Sequence, residues 1–460
     1  MLSKLPNSVE GRDTATHLHG YTNARVHLEQ GPMLIEEGCG VHVWDNSGNK
    51  YIEAMSGLWS VALGFDEQRL IDVATRQMQK LPYYHTFSHK SHTQAAELAH
   101  KLVDIAPGNM SKAFFTNSGS EAIDTAIKLI WYRSNALGKP DKKKILTRNR
   151  AYHGVTTASA CLTGLPANQA SFDCLVPVVR LTCPHYWREK QVSESEEAFA
   201  SRLATELDDT IEAQGPDTVA AFFAEPVQGA GGVVVPPNTY WDKMQAVLNK
   251  HDVLLVADEV ICGFGRTGNM FGCQSYNIKP DMMTLSKQLT SSYLPGSALL
   301  LNDRVFEPIA DESNRIGVLG HGFTGAGHPV VCAVANETIR IIEEDQLVEH
   351  AREVGAYMIA GLKQFEPHPL VAEVRGVGLI AAMELVTNKE TKVALEKPGM
   401  LGIMAGKHAT ANGFITRNIV DSIAFCPPLI INKHEIDDLI ERVGKTLNDV
   451  LAEIDHGVIK

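Results

Sequence analysis

The chain has 460 residues, a formal net charge of −12 at pH 7, and 44% hydrophobic residues. That length accommodates two or more domains around a sizeable core. The negative balance opposes non-specific binding to nucleic acid or anionic membranes, and no run approaches the roughly 18 consecutive apolar residues of a membrane helix.

The opening MLSKLPNSVEGRD lacks the apolar core of a secretory signal. Eight cysteines are scattered at 39, 161, 174, 183, 262, 273, 332 and 426 without a CxxC pair, which argues for reduced thiols and a cytoplasmic location. Cys183-Pro-His185 has the look of a metal-ligand pair, but nothing nearby completes a tetrahedral set, so no metal is expected. The basic run 142–144 reads as a solvated loop.

Taken in chain order, 41–54 (VHVWDNSGNKYIEA) reads as two short strands around an Asn-Ser-Gly-Asn turn. Helical periodicity follows over 68–81, where Leu70, Val73, Ala74 and Met78 recur at three-to-four spacing, and over 94–104. From about residue 110 short apolar runs alternate with helix-like segments. The runs are KAFFT (112–116), KILTR (144–148), TVAAFFAE (218–225), VLLVADE (253–259), MMTLS (282–286) and SALLLN (297–302). Helices are predicted over 121–132, 195–214 and 239–251. Near-continuous apolar strands between helices imply a parallel sheet covered on both faces. Helices over 330–343 and 347–364, a strand GLIAAMEL (378–385) and helices near 400–411 and 434–453 complete the chain. The pattern divides into a large α/β domain over 71–328 and a smaller α+β unit built from 1–70 and 329–460.

Sheets of this kind bind ligands at the carboxyl ends of their strands, and two strand ends here carry charge. VLLVADEV places Asp258 and Glu259 after an apolar run, and DMMTLSK ends on Lys287. A charge in an apolar layer needs a partner. One reading is an Asp258–Lys287 salt bridge at the sheet edge. In the other, Lys287 is a dehydrated amine made nucleophilic towards an aldehyde, and Asp258 keeps a pyridine nitrogen protonated so that the ring accepts electrons. FFTNSGSEA (114–122) is a strand, a small-residue turn and a helix start. Its N–H groups suit an anion such as phosphate, while a plain capping box from Ser118 to Glu121 explains the same residues. No GxxxxGK[ST] loop occurs.

These stretches, with AYHGVT (151–156), AEPVQGAGG (224–232), ADEVICGFGRTG (257–268) and HGFTGAGHP (321–329), resemble the class III pyridoxal-phosphate aminotransferases. Within them the chain is most similar to the ω-amino acid:pyruvate and amine:pyruvate transaminases, from GYTNA (20–24) to FCPPLII (425–431). The resemblance implies pyridoxal 5'-phosphate as cofactor and fold type I, an α/β architecture like that of aspartate aminotransferase. It pairs a large domain around a mostly parallel seven-stranded sheet with a small α+β domain from both chain ends. It makes Lys287 the Schiff-base lysine and proton shuttle, and Asp258 the partner of the ring nitrogen. Ser118, Gly119 and Ser120 become the phosphate cradle, Tyr152 and Val260 the walls on the ring's two faces, and Glu225 and His153 further cofactor contacts. Thr324 resembles a residue given to the neighbouring subunit's cofactor phosphate, which implies a homodimer with active sites at the interface, possibly paired into a tetramer. Tyr21, Trp59, Phe87 and Ser88, with Tyr152, are placed on the amine side of the substrate pocket. Ser88 stands where some amine transaminases carry an aromatic. Arg417 resembles the arginine that binds an α-carboxylate and swings aside for amines without one.

The resemblance implies ping-pong transfer from a small-molecule amine donor to pyruvate, leaving alanine. Donors that fit include an ω-amino acid, β-alanine, a polyamine or an aromatic amine. No second arginine for a distal carboxylate is evident, which favours pyruvate over 2-oxoglutarate. Three other readings compete: a decarboxylase or aminomutase of the same family, a cofactor-binding regulator, and a Schiff-base enzyme on a (β/α)₈ barrel. Residues 1–40 are too short and not basic enough for a DNA-binding module, and the irregular chain ends do not supply eight regular βα units.

Overall fold

The computed structural model describes residues 7–456; residues 1–6, part of the segment read for a secretory signal, lie outside the described residues. Its centre is a seven-stranded sheet in the spatial order Met110–Thr116, Ser297–Asn302, Met282–Leu285, Leu254–Asp258, Val219–Ala224, Lys144–Arg148, Val178–Leu181. Both faces are covered. Along Val219–Ala224, Ala221 and Phe223 join one apolar cluster while Phe222 and Ala224 join another. That is why these strands read as unbroken apolar runs with no alternation. One cluster includes the helices Gly119–Ala136 and Asp303–Ile316, the other Glu196–Gln214, Tyr240–Lys250 and Pro329–Glu344.

The sheet is mostly, not wholly, parallel. Ser297–Asn302 runs antiparallel to both of its neighbours, because residues 286–296 are too few to form the crossover that a parallel return needs. Two four-stranded sheets flank this domain. In one, Phe414–Ile415 pairs in parallel with Lys50–Glu53, beside the antiparallel hairpin of His42–Asp45 and Lys50–Glu53. The other joins Val371–Val377, Ile380–Leu385, Ser422–Phe425 and Arg417–Ile419 in antiparallel register. Among the described residues no helix is long and apolar enough to cross a membrane.

The basic run is not a solvated loop. Lys142 is buried, with its Nζ donating to the carbonyl and carboxylate oxygens of Asp252 at 2.8 and 3.3 Å. Lys143 and Lys144 donate to the carbonyls of Trp131 and Gln214. Their long aliphatic stems let the charged ends reach carbonyls that close the loop while the chains themselves pack.

Candidate active site

Six of the seven central strands point the same way, so their carboxyl ends form one rim. The residues that follow these ends line a single cavity of about 140 Å³. Gly119 and Ser120 come after Met110–Thr116, Tyr152–Gly154 after Lys144–Arg148, and Glu225 after Val219–Ala224. Asp258, Val260 and Ile261 come from the end of Leu254–Asp258, and Ser286 and Lys287 from that of Met282–Leu285.

Asp258 is 4% exposed and held from three directions. The Nδ1–H of His153 donates to its Oδ2 at 2.8 Å, and Thr284 Oγ1 and the Val260 N–H each donate to its Oδ1 at 3.1 Å. Lys287 does not join it. No ion pair connects them, and the lysine amine has no hydrogen-bond partner among the described residues. The salt-bridge reading therefore fails on geometry. Burial lowers the pKa of Lys287, and the nearby charge of Arg417 lowers it further, while Asp258 and Glu225 oppose the shift. Its backbone adopts φ +50, a left-handed conformation that costs a non-glycine residue of order 1 kcal/mol and recurs at functional sites.

The glycine-serine turn does two things at once. Ser118 caps the helix Gly119–Ala136 by accepting from the Glu121 N–H at 3.2 Å, and Glu121 accepts from the Asn117 N–H at 2.7 Å. Capping uses the Ser118 hydroxyl oxygen as an acceptor and leaves its O–H to donate, while Gly119 and Ser120 line the cavity, where first-turn N–H groups lack intrahelical acceptors. A Cβ at Gly119 would lie 3.2–3.3 Å from the Val260 methyls, and one at Gly154 would collide with Ser120 and Ser159 hydroxyls. Both glycines hold this floor open. Glu225 is buried and its pKa is raised by that burial. Its two oxygens accept from the N–H groups of Tyr152 (3.0 Å) and Gly229 (2.9 Å), so it also fixes the loop carrying Tyr152. Glu259 points elsewhere and accepts from Gly272 and Cys273 N–H groups; burial pushes its pKa up to about 7.

Over the opening, Arg417 stands 5.9 Å above the Tyr21 ring. The Asn168 side-chain NH₂ donates to the Tyr21 hydroxyl at 2.5 Å, and Tyr21 lies near enough to Tyr152 to act on its hydroxyl. Tyr21, Tyr152 and Arg417 thereby converge beside Lys287. Four expected residues do not. Phe87 and Ser88 line a separate concavity of about 1250 Å³ with the 317–323 loop, and Phe87 packs on Gly322. Tyr83 bonds the Thr324 carbonyl on the same side. Trp59 is buried in an apolar cluster with Ile261, one wall of the cavity. Sequence reasoning missed Thr284, Gly154, Ile261 and Ser286. The one available signal was a threonine inside the apolar run MMTLS.

The cavity fits pyridoxal phosphate: an unpaired amine and a charged carboxylate end adjacent strands, and a capped helix N-terminus opens between them. The family model for class-III aminotransferases matches residues 24–447. An ω-transaminase of Pseudomonas jessenii, solved with PMP, superposes at TM-score 0.97 with 55% identity, covering 98% of this chain and 100% of that one. A thermostable six-fold mutant of an ω-transaminase from the same organism gives 0.96 and 56%, covering 96% and 98%. The mitochondrial γ-aminobutyrate transaminase 1 of Solanum lycopersicum is 48% identical over 92% of this chain and 83% of its own length. Vanillin aminotransferase of Capsicum frutescens is 45% identical over 92% and 93%. The chain is a class-III aminotransferase, a pyridoxal-phosphate enzyme of fold type I.

Proposed function

We propose that this enzyme moves an amino group from an ω-amino acid or primary amine to pyruvate, giving alanine and an aldehyde or ketone in a ping-pong cycle anchored on Lys287. One observation carries the substrate reading: the Arg417 guanidinium lies over Tyr21, beside Tyr152, and its charge acts on Lys287. A planar guanidinium there pairs one carboxylate with two bonds. Among the described residues no arginine lines the cavity itself, and Arg417 is the arginine whose charge acts on Lys287; one such guanidinium supports pyruvate, with its single carboxylate, over a dicarboxylic acceptor. The relatives named for ω-transaminase, γ-aminobutyrate and vanillin reactions agree with donors whose amine is remote from any α-carboxylate.

Bound in the cavity, pyridoxal phosphate supplies an aldehyde and an electron sink for a carbon that loses its proton. Burial lowers the pKa of Lys287 Nζ and so favours the neutral amine that would act first as nucleophile and then as the base that moves the proton. Asp258 presents its carboxylate in a fixed orientation set by His153 and Thr284. Gly119 and Ser120 offer N–H groups to a phosphate, and Tyr152 and Val260 wall the ring site.

Phe87, Ser88 and Thr324 belong to this reading through a second copy of the chain: they share a face away from Lys287, so a homodimer would carry them into its partner's site. All eight cysteines are free thiols, in keeping with the cytoplasmic location we assign. The deciding experiment is a panel of amine donors with pyruvate and with 2-oxoglutarate, reading alanine and glutamate formed. Stoichiometric alanine from ω-amino donors is expected. Glutamate as the main product, or release of carbon dioxide in place of alanine, would refute the assignment.

A further inference from the structure

We propose that Asp13, His17 and His19 bind one divalent transition-metal ion, zinc by preference, which pins the N-terminal segment bearing Tyr21. Asp13 and His17 lie four residues apart at the end of the helix Val9–Thr16 and so share a face. His19 follows in the connecting turn, and His27 comes from the next helix, Ala24–Gln30. His17 Nδ1 lies 3.1 Å from Asp13 Oδ2, while His19 Nε2 and His27 Nε2 lie 2.8 and 3.2 Å from Oδ1. The three imidazoles cluster, tilted by 42° and 37°, with centroids 4.2 Å apart in each successive pair. One ligand atom each from Asp13, His17 and His19 lies within 4.8 Å of the others, and tetrahedral zinc with bonds of ~2.0–2.1 Å would draw such atoms to ~3.3 Å apart. Imidazole nitrogens and one carboxylate are donors that suit zinc over calcium or magnesium.

Two further observations separate this group from chance. The two other three-residue His–carboxylate groups among the described residues are already neutralised by protein cations: Arg375 and Arg188 hold Glu373 and Glu384 beside His185, and Lys250 holds Asp208 beside His251. No lysine or arginine bonds the Asp13 group among the described residues. The segment also has little else to hold it. Of residues 7–30, His27 alone is buried, and the eight-residue helix Val9–Thr16 buries none. Helices this short are marginal without tertiary support. Three protein ligands leave one position to water, and His27 holds the same Asp13 carboxylate from the next helix; the site's effect reaches the chemistry through Tyr21, two residues after His19, which bonds Asn168 and lies under Arg417.

The test uses tag-free holoenzyme, freed of metal by chelator and titrated with zinc chloride alone. One zinc per chain is expected, with cobalt giving the visible absorption of a four-coordinate ion. Zinc should also slow amide hydrogen exchange over residues 9–28. His17→Gln, at a side chain 64% exposed and so safe for folding, should weaken zinc at least tenfold, and His19→Ala should abolish the one-to-one uptake. Absence of stoichiometric uptake, or uptake undiminished in His17→Gln, overturns the proposal whatever the amine donor proves to be.

Discussion

Replacing Asp258 with Asn removes one charge and little else. The amide oxygen can still accept from Thr284 and Val260, which now meet Oδ1 at 3.1 Å. Its NH₂ then faces His153, whose Nε2 is buried without a partner; moving the imidazole proton to Nε2 turns Nδ1 into an acceptor, so the contact survives. The lost quantity is the carboxylate's hold on a protonated ring nitrogen. Two unit charges ~4 Å apart at an effective dielectric of ~20 interact by about 4 kcal/mol, or roughly a thousandfold in rate at 1.4 kcal/mol per tenfold. Single-turnover mixing with an amine donor, followed by loss of the cofactor's yellow colour, should show that drop, with cofactor affinity within about tenfold and unchanged circular dichroism. Asp258→Asn turning over within tenfold of the wild type would refute the role given to this charge.

Arg417→Ala should lose a charge-assisted pair of about 1.5–3 kcal/mol, a fall of roughly ten- to a hundredfold in kcat/KM for pyruvate and alanine. Amines without a carboxylate should be nearly unaffected; equal losses for both classes would contradict its assignment. Glu259 sets a pH dependence of stability. Its folded pKa of about 7 lies above the unfolded 4.5, so its contribution is complete below pH 4.5 and is lost as pH rises through 7, by up to about 3 kcal/mol. Denaturant titrations of wild type and Glu259→Gln at pH 5 and pH 8.5 should therefore show the variant gaining relative stability at the higher pH. Mixing inactive Lys287→Ala chains with chains carrying both Phe87→Ala and Thr324→Ala should restore activity, since each hybrid dimer assembles one intact site; mixtures no better than the sum of the parents would show that those residues serve their own chain.

The strands, helices and strand-end charges were legible because each depends on local pattern. VAAFFA and LLVAD announce buried strands, and an Asp and a Lys where apolar runs stop announce a site. The seventh strand, Val178–Leu181, follows Pro177 and carries Arg180 in four residues, too short and mixed a segment to stand out. The helix Asp303–Ile316 is interrupted by Pro308, and Phe414–Ile415 is held as a strand by Lys50–Glu53, some 360 residues earlier. The anchoring of Asp258 by His153 spans 105 residues, and no periodicity reports a contact of that kind. Phe87, Ser88 and Thr324 carry family motifs, but one chain alone gives them no place in the pocket. The Asp13 histidines escaped because a helix with no buried face has no apolar rhythm.

Central to the whole is covalent capture at Lys287, the one cavity amine left without a partner. Borohydride treatment of the yellow holoenzyme, followed by digestion and mass spectrometry, should place the reduced pyridoxyl adduct on the peptide containing Lys287. An unmodified Lys287 peptide, or the adduct on another lysine, would contradict the account.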